Sequence, residues 1–297
     1  MFFLNSQFVI LKMENAYQAS KLEELTYVAF DVETTGLSPV AHRLVELSGV
    51  KFDYHQKKVE TFSHLINPEV AIPPEVVGIH GIDDKMVEDK PKASFVIPEF
   101  LNWIGEDTVL IAHNAPFDLE FMRVNIARLG LNCPTNYVLD TLVISRELMP
   151  DAPRHQLKTV VELLGLPTGG YHRALADSVH VKDIFLKLMG DKSLGEFANL
   201  STMGAVSTFN FDRFLDDVVA GLPDKDRKNM DRLKHAIDGK AVVEMTYQGA
   251  VTTRRRVKPI SLVHSRGQIY LNAFCVRVNA ERTFRLDRIS KLKEPLV

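Results

Sequence analysis

Cysteine is almost missing from this chain: Cys133 and Cys275 are the only two in 297 residues, and they lie far apart. That excludes a disulfide framework and a cysteine-built zinc site, and it makes a reducing cytoplasm the expected compartment. Long apolar runs are missing as well. No stretch approaches the roughly 18–20 residues that a membrane-spanning helix needs, so no membrane partner is expected. The mildly apolar start, Met1 to Leu11, is interrupted by polar residues and lacks the positive first segment and small-residue cleavage site of an export signal. Residues 1–25 read as an N-terminal extension, with Met13 as an alternative start. Net charge is nearly missing too, at −2. That last absence hides a division.

Residues 1–224 hold 19 Lys/Arg and 31 Asp/Glu, whereas residues 225–297 hold 17 and 7, so an acidic part of net −12 precedes a basic tail of net +10. Such asymmetry points to contact between the tail and a polyanion. The length exceeds what one compact α/β domain needs, and two domains are expected: residues 26–190 and 225–297, joined by 191–224. The joining stretch carries Phe197, Phe209, Phe211 and Phe214. A purely solvated linker rarely has four phenylalanines, so a short docked helix is expected over residues 211–220.

What is present in quantity is acid, at telling places. Asp31 and Glu33 stand in the run Phe30-Asp-Val-Glu-Thr-Thr-Gly-Leu37, two apart on a strand expected over Thr26 to Val32, so both side chains leave one face. Asp118 closes His113-Asn-Ala-Pro-Phe-Asp118, after the short apolar run Val109 to Ala112 and before an amphipathic stretch, Leu119 to Leu129, that Gly130 closes. Asp177 lies in the first turn of a helix expected from Ala174 to Met189, with His172 on the approach to it. Carboxylates gathered from distant segments repel one another unless cations sit among them. Hard oxygen ligands select Mg²⁺ or Mn²⁺, and a pair of such ions suits phosphodiester hydrolysis. Histidine, which titrates near neutrality, suits a general base beside the attacking water. Taken singly, each fragment is as well explained by a solvated strand end or a turn. Three in order are much harder to explain that way. Asp140, just before a helical pattern, reads as an N-cap rather than a further ligand, and His42, His55, His64, His155 and His180 as surface or packing residues.

The three segments resemble the three motifs of the DEDDh (DnaQ-like) 3′–5′ exonucleases, a family that includes the proofreading subunit of bacterial replicative polymerase. The resemblance covers about Thr26 to Met189. It implies an RNase H-like mixed sheet flanked by helices, two divalent ions (Mg²⁺ or Mn²⁺) held by Asp31, Glu33, Asp118 and Asp177, and activation of water by His172. It also implies that Thr34 and Leu37 meet the 3′-terminal nucleotide of a single strand, that Glu75 and His80 of Pro74-Glu-Val-Val-Gly-Ile-His-Gly81 contact the substrate, and that Asn114 supports the same pocket. The implied activity releases nucleoside 5′-monophosphates from nucleic-acid 3′ ends, with DNA as the expected substrate and RNA the alternative, since nothing in the motifs reads a 2′-hydroxyl. Proofreading would require a DNA polymerase partner.

The basic tail starts with a helical pattern, Lys225 to Ile237, and then turns β-like over Ala241 to Tyr247, Thr252 to Val257, Gln268 to Val278 and Thr283 to Ile289, punctuated by Gly249 and Gly267. Tyr247-Gln-Gly249, Arg256-Val-Lys-Pro259, Ile269-Tyr-Leu271 and Phe284-Arg-Leu-Asp-Arg-Ile289 resemble the WYL domain, a small SH3/Sm-like β-barrel; the name-giving tryptophan is Ile269 here. That resemblance implies a nucleic-acid or nucleotide-binding module whose face carries Arg254, Arg255, Arg256, Tyr270, Arg285 and Arg288. A regulator working through this module is the rival to a working nuclease. The complete acidic set and the lack of a helix-turn-helix ahead of the module speak against it.

Overall fold

The computed structural model of the protein describes residues 20–190, 195–209, 219, 221–265 and 268–293. The extension before Ser20, with its two candidate starts, and nearly all of the helix expected over 211–220 lie outside the described residues. Contacts divide the chain into two units. The first draws on residues up to Gly36, Arg43–Leu119 and Pro134–Asn210; the second on Leu37–His42, Glu120–Cys133 and Phe211–Val297.

In the first unit, β1 (Thr26–Thr34), β2 (Leu44–Asp53) and β3 (Val59–Leu65) form an antiparallel meander. Beyond β1 follow β4 (Thr108–Ala112) and β5 (Tyr137–Asp140), both parallel, then the antiparallel β6 (Val206–Thr208), giving the sheet order β3-β2-β1-β4-β5-β6. The helices that matter here are α1 (Pro74–His80), α2 (Ala93–Ile104), α3 (Ala115–Leu129, of which this unit holds the start, up to Leu119), α4 (Thr141–Leu148), α5 (Ala174–Met189) and α6 (Phe197–Thr202). The stretch expected to join the domains thus contributes α6 and the edge strand β6, and Phe197 and Phe209 are buried.

The run Tyr27-Val-Ala-Phe30 on β1 is wholly buried because both sheet faces are covered. On one face Tyr27 meets Phe185 of α5, with ring centroids 4.8 Å apart. On the other, Phe30 and Phe62 meet Phe100 of α2 at 5.9 and 5.3 Å. Trp103, the chain's one tryptophan, lies over Gly49, where a Cβ would come within 3.1 Å of the indole. Alternation along β1 carries the consequence for the site. Asp31 and Glu33 fall on the Tyr27 face, where α5 delivers Asp177.

In the second unit, α7 (Asp224–Asp238) buries Met230, Leu233 and Ala236, at helical spacing, against an antiparallel sheet. Its strands are β7 (Val243–Gln248), β8 (Thr252–Ser265), β9 (Gln268–Cys275), β10 (Ala280–Arg285) and β11 (Ile289–Lys293), in the order β10-β9-β8-β7-β11. The single strand expected over Thr283 to Ile289 is instead the end of β10, a 3₁₀ turn at Leu286–Arg288, and the start of β11. β8 runs past its expected end at Val257 because a register shift between Pro259 and Ser261 absorbs the missing proline N–H. The expected barrel is seen as an open five-stranded sheet: among the described residues no ladder joins β10 to β11.

Candidate active site

Glu33, His172 and Asp177 converge. One ligand atom from each lies within 4.8 Å of the others. Asp177 is buried in the first turn of α5, and its Oδ2 accepts the backbone N–H of His172 at 2.9 Å. His172 itself is exposed and takes a left-handed conformation, φ 63°, which a residue with a Cβ adopts at a cost that neighbouring bonds must offset. Asp118 is buried, and its Oδ1 accepts the N–H of Val32 at 3.1 Å, which ties the first turn of α3 to β1 between the two strand carboxylates. α3 begins at Ala115, earlier than the amphipathic pattern suggested, so Asp118 is a helical residue rather than one preceding the helix. Pro116 at its start explains the early beginning.

Electrostatics show how tightly the acids are gathered. Burial first, then the charges of Asp118, Glu33, Asp177 and Glu46, holds Asp31 well above the carboxylate range. Asp118 is also held well above it by burial, against the opposing pull of the Val32 N–H. Glu33 is pushed up to about 8 by burial and by the charges of Asp177 and Glu46, with Arg173 opposing. Asp177 is raised by burial, and its Oδ1 is buried without a hydrogen-bond partner among the described residues. Carboxylates that resist ionisation beside one another, one of them with an orphaned oxygen, fit divalent cations.

The other expected site residues fall out as follows. Thr34 is buried at the end of β1, its hydroxyl donating to the Gly36 carbonyl at 2.8 Å. Leu37 is 74% exposed. Glu75 is exposed in the first turn of α1. His80 closes that helix; it is buried, burial lowers its pKa, and its Nδ1 accepts the Ile82 N–H at 3.0 Å. The neutral ring so assigned carries its proton on Nε2, which is buried and faces the Thr34 backbone without a well-formed hydrogen bond. Asn114 has φ 67°, and its N–H donates to Asp140 at 2.9 Å. Asp140 is an N-cap, as read from the sequence, accepting the Leu142 N–H of α4; its hold on Asn114 is a second task that the pattern did not reveal.

Sequence reasoning also missed Glu46 and Arg173. Glu46 is buried on β2 and takes both arms of the Arg173 guanidinium, at 3.0 and 3.2 Å. A signal was there: Glu46 is the one charged residue in the apolar run Leu44 to Val50, and a carboxylate in a buried strand requires a partner.

On the C-terminal sheet the three adjacent arginines divide. Arg254 and Arg256 are exposed and pair across β7 with Thr246 and Glu244. Arg255 points the other way, its guanidinium 5.8 Å from the centre of the Phe284 ring. Lys258 of β8 and Lys291 and Lys293 of β11 are exposed too, and Lys293 pairs with Glu244 at 3.0 Å. Tyr270 is half-buried against Val263. Arg285 is engaged by Asp287 and Gln268, and Arg288 is exposed in the 3₁₀ turn.

A mixed sheet gathering carboxylates at the end of its central strand defines the class, an RNase H-like α/β exonuclease fold. The chain belongs to the Exonuclease family (RNase_T), whose profile matches residues 28–185; the WYL domain profile matches residues 228–294. Over 176 residues it is 38% identical to the PolC-type DNA polymerase III of Caldanaerobacter subterraneus subsp. tengcongensis. Over 170 residues it is 36% identical to the PolC-type DNA polymerase III of Bacillus cereus. Each match covers 57% of this chain but 12% of the relative's length. Among solved structures, E. coli exonuclease I in complex with a dA16 oligonucleotide aligns with a TM-score of 0.51 at 16% identity, covering 84% of this chain and 55% of that one. That likeness concerns the fold.

Proposed function

We propose that the chain is a 3′–5′ exonuclease that removes nucleoside 5′-monophosphates from single-stranded DNA. The observation that carries this reading is the convergence of Glu33, His172 and Asp177, with Asp31 and Asp118 held above the carboxylate range first by burial and then by neighbouring carboxylates. In this reading Asp31, Glu33, Asp118 and Asp177 hold two divalent ions, Mg²⁺ or Mn²⁺. When bound, those ions supply charge stabilisation to both the attacking and the leaving oxygen. His172 accepts the proton of the attacking water; the water oxygen bonds to phosphorus, the bond to the 3′ oxygen breaks, and that oxygen takes a proton from solvent water to become the new 3′ hydroxyl end. Thr34 and Leu37 seat the terminal nucleotide, Glu75 and His80 contact the substrate, and Asn114 supports the same pocket.

Residues 26–190 carry the chemistry in this reading, residues 225–297 grip the strand, and 191–224 join them. We read the C-terminal sheet as an SH3/Sm-like barrel module, and its outward row Arg254, Arg256 and Lys258 as the strongest part of the grip, with Arg255, Tyr270, Arg285 and Arg288 contributing less. Residues two apart on a strand lie about 6.6–6.8 Å apart, a repeat suited to successive phosphates of an extended strand. Exonuclease I in the dA16 complex and kinship with PolC-type polymerases support DNA as substrate and a DNA polymerase as partner. No described helix is long and apolar enough to cross a membrane, and with two free cysteines we place the protein in the cytoplasm. End-labelled single-stranded DNA and RNA, incubated with Mg²⁺, Mn²⁺ or EDTA, test the reading. A metal-dependent ladder shortening from the 3′ end, faster on DNA, is expected. No shortening with either ion would overturn it, and faster RNA trimming would make it an exoribonuclease.

A further inference from the structure

Glu46 stands directly across the β1–β2 ladder from Glu33. Like charges facing each other across strands destabilise a sheet, and Glu46 is only 2% exposed, so water does little to screen it. Among the described residues, its hydrogen-bond donors come from the segment that carries the histidine. Arg173 Nε donates to Oε2 at 3.2 Å and Nη2 to Oε1 at 3.0 Å, a forked pair. The backbone N–H of Ala174, first residue of α5, donates to Oε2 at 3.0 Å. Arg173 occupies the N-cap position yet its side chain makes no cap hydrogen bond there. A carboxylate from another strand does the capping instead.

His172 is therefore fixed from both sides. Behind it, residues 173 and 174 are bolted to Glu46; its own N–H is bound by Asp177; and its φ of 63° is held against the preference of a residue with a Cβ. A cap alone needs no buried charge, since a local Ser or Asp suffices. A rigid fork that reaches the residue next to the imidazole does more than cap. We propose that Glu46, acting through Arg173, is a positioning residue that aims the His172 imidazole at the reacting water. The inference rests on the reading of His172 as the general base.

The test uses Glu46→Gln, Arg173→Lys and the double variant in the full chain. Arg173→Lys keeps the charge and loses the fork; its side chain is 46% exposed, so folding should survive even if Glu46→Gln is too damaging. Each single variant should lower kcat about 10–100-fold, the usual cost of losing a group that orients an active side chain. KM for a short single strand and calorimetric Mn²⁺ affinity should stay within about twofold, and the double variant should be no worse than the worse single one. In the metal-free protein the imidazole proton resonance of His172, assigned by its loss in His172→Ala, should shift in both single variants. An unchanged resonance with unchanged kcat would overturn the proposal. So would a loss of Mn²⁺ affinity in Glu46→Gln as large as in Asp177→Ala, which would make Glu46 a ligand. If the unaltered chain hydrolysed nothing, the nuclease reading would fail, while the resonance would still decide whether Glu46 and Arg173 hold the ring.

Discussion

Asp118 is where two residue-scale effects oppose each other. Its charge raises the energy of an already crowded acidic cluster, while its Oδ1 satisfies the buried N–H of Val32. Alanine removes both, and the orphaned N–H costs about 1–3 kcal/mol. Asparagine removes the charge and keeps an acceptor. In EDTA, Asp118→Asn should therefore melt a few degrees above the unaltered protein, and Asp118→Ala below Asp118→Asn, with hydrolysis lost in both. Thermal melts beside a nuclease assay check this, and substantial Mg²⁺-dependent hydrolysis by either variant would remove Asp118 from the site. His172→Ala should lower turnover by about 10²–10⁴-fold, the worth of a positioned base, and leave calorimetric metal affinity nearly intact. Glu33 sets a pH dependence. Its pKa rises from 4.5 to about 8 on folding, so between those values the folded chain holds a proton that the unfolded chain has released. Stability of the metal-free protein should fall as pH rises through that window, by up to about 1.4 kcal/mol per unit for each such proton. Divalent ions should flatten the fall. A melting temperature in EDTA that stayed level or rose from pH 5 to 8 would contradict the burial of Glu33 beside Asp177 and Glu46.

Among the elements, α5 was the most legible in the sequence, because its apolar spacing and Gly190 fix both ends and because Asp177 follows His172 by a motif spacing. β1 was nearly as plain, an apolar run ending in two acids. What the pattern could not supply were partners remote in sequence. Glu46 and Arg173 lie 127 residues apart, and the bond from Asp140 to Asn114 spans 26; no local period encodes either. The last strand was missed for another reason: Phe284 and Leu286 alternate with Arg285 and Asp287 as a strand would, and only the break of that period at Arg288 and Ile289 marks the 3₁₀ turn. Asp140→Ala tests an element-scale role, since it uncaps α4 and frees the strained Asn114 backbone together. Loss of the cap alone costs about 1 kcal/mol, so the expected outcome is a melting temperature lowered by a few degrees with KM raised more than kcat is lowered. An unchanged KM would detach Asn114 from the substrate pocket.

For the molecule as a whole, the opposition of a net −12 part and a net +10 tail makes binding of long strands a matter of salt. Each phosphate neutralised on a single strand contributes about −0.7 to the slope of log affinity against log salt. Replacing Arg254, Arg256 and Lys258 together by Gln should flatten that slope by roughly 2 and weaken binding of long strands, while cleavage of very short oligonucleotides is nearly unchanged. An unaltered slope, measured by fluorescence anisotropy from low to physiological salt, would reassign the tail to a small ligand or a protein partner. A last consequence belongs to Trp103 and its contact with Gly49. The chain's one indole sits in the first unit, and the C-terminal sheet has none. Indole emission is therefore a private reporter of the nuclease unit, blind to melting of the other. Urea unfolding followed by tryptophan fluorescence and by far-ultraviolet dichroism should give two curves that separate wherever the units differ in stability, and Gly49→Ala, which presses on the indole, should move the fluorescence curve first.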